Sequence, residues 1–165
     1  MEIKSLAELK RELSLMHPAA LAGICIQLAR YKKENKELLG YLLFDSNYEP
    51  GYILKVKAEI DGLFTELNRN NLYFTKKGIR KILKVTNRYI KYSPHKKTEA
   101  ELRLHYITRL KESGVRMIPG TALGNLFDGQ VDKISKAIET LHEDLRRDYT
   151  EELKQVTMKE KTGKG

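Results

Sequence analysis

Apolar residues recur at three- and four-residue spacing in nearly every window of this chain, and no window alternates with the two-residue period of a half-buried strand. That leaves the helix as the one regular element with a face to bury, and it predicts an all-α fold. At 165 residues the chain is long enough for one domain with its own core and short for two.

Breaks in the periodicity divide the chain into about seven short helices. Ser5 and Glu8 form a capping-box pattern ahead of Leu6, Leu9, Leu13 and Met16. His17-Pro18 ends that helix, and Pro18 opens a second one to about Lys33, apolar on most sides and therefore expected to be central and buried. Asn35 is expected to cap a third, with turn chemistry at Asp45-Ser46-Asn47. A fourth, from about Pro50 to Leu67, puts Ile53, Val56, Ile60, Leu63, Phe64 and Leu67 on one face. A fifth runs from about Thr75 to Tyr92 and stops at Ser93-Pro94. Thr98 and Glu101 predict a second capping box for a sixth, ending at Gly114. Residues 114–129, with four glycines and Pro119, are expected to be irregular. A last helix from about Gln130 carries Val131, Ile134, Ile138, Leu141 and Leu145 near a seven-residue repeat, which could pack internally or pair with another copy.

Short helices and tight joints predict antiparallel αα-hairpins, arranged as a compact bundle or a short HEAT-like stack. Residues 1–153 are expected to form a single helical domain, and the lysine-rich stretch 154–165 a flexible C-terminal tail. The first fifteen residues are charged throughout and lack a signal-peptide core, and Pro18 to Ala29 is far short of a membrane span. Cys25 is the sole cysteine, so neither an intramolecular disulfide nor a cysteine-type zinc site can form. These features predict a reducing, cytoplasmic location with no membrane partner.

Charge is the feature that bears on function. Between Leu67 and Thr98 lie ten of the 31 Lys and Arg residues and not one Asp or Glu; the other 21 cations face all 22 acids. The net charge of +9 is therefore local. At about 100° per residue, Lys77, Lys81, Lys84, Arg88 and Lys91 fall within a stripe of roughly 80°, with Arg80 beside it. Ile79, Ile82, Leu83, Thr86 and Ile90 gather on the opposite side. Like charges at helical spacing repel by a few tenths of a kcal/mol per pair, and mixed signs elsewhere in the chain avoid this. Sustained repulsion on one helix fits a polyanion-binding ridge of Lys77, Arg80, Lys81, Lys84, Arg88 and Lys91. Two blander readings stand beside it: an ion-pair surface covered by acids such as Glu99, Glu101, Asp45 or Glu49, and an inert solvated face. Tyr73, Phe74, Tyr89 and Tyr92 lie near enough in sequence to stack on bases, although periodicity sets Tyr89 at the border of the apolar face, where a core place is expected.

Patterns that could carry chemistry fail on spacing. Asp45-Ser46-Asn47-Tyr48-Glu49 opens like a calcium loop, but Pro50 and Val56 stand where that loop needs glycine and a bidentate acid. Glu139 and His142 have di-iron spacing without a second copy, and Glu101 with His105 fits an ordinary helix contact. Gly120-Thr121-Ala122-Leu123-Gly124 lacks the Lys-Ser/Thr ending of a phosphate loop and reads as a flexible connector. Cys25 is expected to be buried as a small hydrophobe. No catalytic set, cofactor or metal is expected. The predicted function is a non-enzymatic helical adaptor whose basic helix, about 75–92, binds a polyanion such as nucleic acid. The alternatives are a module for an acidic protein partner, or an enzyme whose site would show as a pocket of converging Tyr, His, Asp or Glu side chains.

Overall fold

A computed structural model describes residues 2–158. Among them stand eight α-helices and no strand: α1 (Leu6–Ser14), α2 (Pro18–Tyr31), α3 (Lys33–Gly40), α4 (Glu49–Thr65), α5 (Leu72–Tyr92), α6 (Lys96–Glu112), α7 (Ala122–Glu139) and α8 (Glu143–Thr157). The all-α expectation holds. The contacts divide the chain into two compact units between Ser46 and Asn47.

The first unit holds α1 to α3 and a π turn over Tyr41–Asp45. The Ser5 hydroxyl accepts the Glu8 N–H and the Glu8 carboxylate accepts the Ser5 N–H at 2.8 Å, so the predicted capping box forms. His17 caps α2 through Nδ1, which accepts the Ala19 N–H at 3.2 Å. The central burial expected of α2 is not found: none of its residues is buried, and Cys25 is exposed. Three short helices cannot surround one of their own number, so an all-round apolar helix keeps open faces here. Asn35 does not cap α3; Lys32 holds that place without a side-chain bond, and Asn35 Nδ2 donates to the Leu28 carbonyl at 2.8 Å, tying α3 to α2.

The second unit is a bundle around α6, which packs on α4, α5, α7 and α8. Leu102, Tyr106, Ile107 and Leu110 are fully buried on it, each side chain contributing about 1.5–3 kcal/mol. Tyr106 stacks obliquely on Phe64 at 5.6 Å between centroids and donates its hydroxyl to the Ile79 carbonyl at 3.1 Å. A central helix with neighbours on several sides distinguishes this arrangement from a stack of hairpins. Of the predicted α4 stripe, Ile53, Val56, Ile60, Phe64 and Leu67 are buried.

Three expectations fail in this unit for identifiable reasons. Thr98 does not open α6: the helix starts at Lys96, and Thr98 is fully buried with its hydroxyl donating to Glu49 at 2.5 Å. Residues 120–124 are not a flexible connector. Thr121 caps α7, its hydroxyl accepting the Gly124 N–H at 3.2 Å and donating to the Ile118 carbonyl at 2.7 Å, after Gly120 turns the chain at φ +80. The seven-residue stripe from Val131 to Leu145 does not lie on one helix, because α7 ends at Glu139 and α8 begins at Glu143. Helix α8 runs on to Thr157, into the stretch expected to be a tail, whose remainder from residue 159 lies outside the described residues.

Candidate functional site

Helix α5 is set in place from both ends and along one side. Asn71 caps it, its Oδ1 accepting the Tyr73 N–H at 2.7 Å. The buried Thr75 hydroxyl sits 2.9 Å from the carbonyls of both Asn68 and Asn71, which fixes the first turn against the preceding loop. Gly78 lets that turn approach Leu67, whose Cδ1 would lie 2.5 Å from an added Cβ. Along the core side, Ile79, Ile82, Thr86 and Ile90 are buried. At the far end the Tyr52 hydroxyl donates to the Tyr89 carbonyl at 2.8 Å, and the Ser93 hydroxyl donates to Glu49.

With that side committed to the core, the cationic side is turned outward. Lys77, Arg80, Lys81, Lys84 and Lys91 are exposed, and none of them has an ion pair among the described residues. Arg88 differs from the rest. It is half-buried, its guanidinium lies 5.3 Å from the Tyr89 ring centroid, and it has further partners in the protein. Of the acids proposed as a cover, Glu99 pairs with Lys96 and Arg103, Glu101 pairs with Lys57 and Lys97, and Glu49 accepts hydrogen bonds from Ser93 and Thr98.

The four aromatic side chains of this helix divide into two pairs. Tyr89 and Tyr92 are half-buried, meet edge to face at 5.9 Å, and Tyr89 donates its hydroxyl to Glu59 at 2.7 Å. Tyr73 and Phe74 are 65% and 51% exposed and meet edge to face at 5.4 Å.

A second polar cluster escaped the spacing arguments. Lys57 and Asp61 on α4 stand against Glu101 and His105 on α6, with Lys57 Nζ 2.8 Å from Glu101 Oε2 and His105 Nε2 2.7 Å from Asp61 Oδ1. Residues four apart on both helices thus pair in the same order, so α4 and α6 run parallel. Glu101 and His105 meet partners on α4 in place of the intrahelical contact expected. Tyr149 on α8 donates to Glu101 Oε1 at 2.6 Å, and Arg109 Nε lies 2.9 Å from Asp61 Oδ1. Burial raises the Tyr149 hydroxyl well above the usual phenol range, and the bond to Glu101 adds to it. Lys57, Glu101, His105 and Tyr149 line a polar cavity of about 330 Å³ with Thr108 and Glu152. Their strong hydrogen-bonding atoms are turned on one another, which locks α4, α6 and α8 together. The one sequence signal for this lock is the repeat of opposite charge at i and i+4 on two separate helices.

A third group is the Arg103 guanidinium, 7% exposed inside the bundle. Its Nε meets Glu99 Oε1 at 3.0 Å, and its Nη1 donates to Asn87 and Gln130, both at 2.8 Å. Asn87 lies on α5 and Gln130 on α7, so this network holds the basic helix to α6 and α7. The remaining histidines are dispersed, with His95 and His142 exposed at the starts of α6 and α8. No set of three or more His, Cys, Asp or Glu side chains among the described residues could hold a metal ion. Comparison with protein-family models, with curated proteins and with solved structures finds no match to this chain.

Proposed function

We propose that this protein is a non-enzymatic helical binding protein that holds nucleic acid through the outer face of α5. The observation that carries the reading is the exposure of Lys77, Arg80, Lys81, Lys84 and Lys91 on one helix without ion-pair partners among the described residues, in a chain that pairs many of its other cations. Helix α5 carries no acid in its first turn, so the positive end of its dipole adds to the same field. From Lys77 to Lys91 the ridge is about 21 Å long, matching roughly six phosphates of one strand at about 3.4 Å each. Arg88, committed within the protein, is a support of this face and not a primary contact. The contacts are to phosphate, which positions a strand without reading its sequence.

Fluorescence anisotropy with labelled 20-residue oligonucleotides tests the reading. Neutralising about five phosphates gives a log-affinity against log-salt slope near −3.5 for a single strand and −4.5 for a duplex. Replacing Lys77, Arg80, Lys81 and Lys84 together with Gln should flatten the slope and lower affinity at 50 mM salt at least a hundredfold. No binding at low salt, or equal binding by the variant, overturns the proposal.

A further inference from the structure

Resting on that reading, we infer that the ligand of α5 is single-stranded nucleic acid, with Tyr73 and Phe74 forming a base-stacking platform at the head of the cationic ridge. Position comes first. With Tyr73 as reference, a turn of about 100° per residue places Lys77 near 40°, Arg80 near −20°, Lys84 near 20° and Lys91 near 0°. Tyr73 therefore stands on the ridge itself, one turn before Lys77. Phe74 lies near 100°, in line with Lys81 near 80°. A strand running along the ridge would meet the two rings as it passes the end of the helix.

The rings are held ready for that contact. The Asn71 cap and the Thr75 hydroxyl fix the backbone turn that carries them, and the two rings meet edge to face. Elsewhere in the helices of this unit Tyr52, Phe64 and Tyr106 are buried, and Tyr89, Tyr92, Phe127 and Tyr149 are half-buried. Tyr73 and Phe74 stay outside, beside exposed Leu72, at the only place on α5 where aromatic and cationic side chains are exposed together. Bases in a duplex are already stacked and paired, so rings on a helix surface gain nothing from them. An unpaired strand offers free faces, and each base–ring stack tightens binding roughly five- to a hundredfold whatever the base. The phosphates engage the lysines in either form, so the aromatic pair is the element that discriminates. Ribose and deoxyribose share this chemistry.

The experiment compares oligo-dT, oligo-U, a duplex and an abasic deoxyribose strand of equal length, at one salt concentration. The expected order is oligo-dT or oligo-U tightest, with duplex and abasic strand at least tenfold weaker. Tyr73→Ala with Phe74→Ala should cost the single strands tenfold or more and the duplex less than twofold, while Tyr73→Phe retains binding. The chain has no tryptophan, so Phe74→Trp supplies a sole indole whose emission a stacked base should quench. Equal affinity for the abasic strand, a duplex bound as tightly as the single strands, or an unquenched indole overturns the inference while leaving the phosphate surface standing. Failure of every polynucleotide to bind at low salt removes the phosphate surface and the platform with it.

Discussion

Gly124 sits where a side chain has nowhere to go. A Cβ there would come within 2.1 Å of the Ile118 carbonyl oxygen and 3.3 Å of Pro119 Cα, both backbone atoms held by the Thr121 cap. Gly62 is its opposite, a helical glycine on α4 with nothing within 4 Å of an added Cβ. Gly124→Ala should therefore cost about 1–3 kcal/mol in urea unfolding, by overpacking. Gly62→Ala should gain about 0.5–1 kcal/mol, by removing backbone freedom from the unfolded chain. A neutral Gly124→Ala would mean that the 118–119 backbone yields. At this scale the sequence was a partial guide. The Ser5–Glu8 box was legible because both partners are three residues apart, whereas the roles of Thr98, Asn35 and Arg103 depend on partners 7 to 49 residues away.

Helix α5 was the most legible element, since its inner face (Ile79, Ile82, Thr86, Ile90) and outer cations follow from one angle per residue. Its charge has a consequence for stability that opposes its proposed use. Lys77, Arg80, Lys81 and Lys84 repel as neighbours three or four apart, each pair by about 0.2–0.5 kcal/mol. Replacing all four with Gln should leave helicity unchanged and raise unfolding stability by about 1 kcal/mol at low salt, a gain that fades as salt screens the charges. A loss of stability in that variant would show that acids of the same chain cover the ridge. The joints were less legible than the helices. The apolar spacing from Val131 to Leu145 runs past the break between α7 and α8, where Thr140 and Leu141 donate N–H groups to the Ala137 and Ile138 carbonyls and tighten the end of α7.

At the scale of the molecule, the second unit depends on carboxylates enclosed in its helix contacts. Burial by itself would raise Glu99 and Glu101, but hydrogen bonds from Lys96 and Arg103 to the first, and from Lys57 and Tyr149 to the second, outweigh it together with the cations' charge. Both carboxyls are held below their ordinary value of 4.5. A folded value below the unfolded one stabilises the fold fully above the unfolded value, and that stabilisation is lost as pH falls through the folded value. Denaturation midpoints should change little between about pH 7 and pH 5 and decline steadily below about pH 4.5. Glu101→Gln should lower neutral stability and blunt the acid decline; an unchanged acid profile would clear the α4–α6–α8 lock of responsibility.

The sequence by itself determined that the chain is helical, where most of its helices lie, that no helix among the described residues is long and apolar enough to cross a membrane, and that most of the excess charge belongs to one helix. Each of these is set by neighbours within a few turns, which periodicity and composition record. Only the tertiary structure decided that the contacts form two units, that α2 stays open while α6 is enclosed, and that Glu99 and Glu101, thought able to cover the ridge, pair with Arg103 and Lys57. It also separated exposed Tyr73 and Phe74 from half-buried Tyr89 and Tyr92, of which periodicity had set only Tyr89 apart. The physical reason is common to all of these: whether a side chain is covered depends on groups brought from distant parts of the chain, and spacing along one helix carries no record of them.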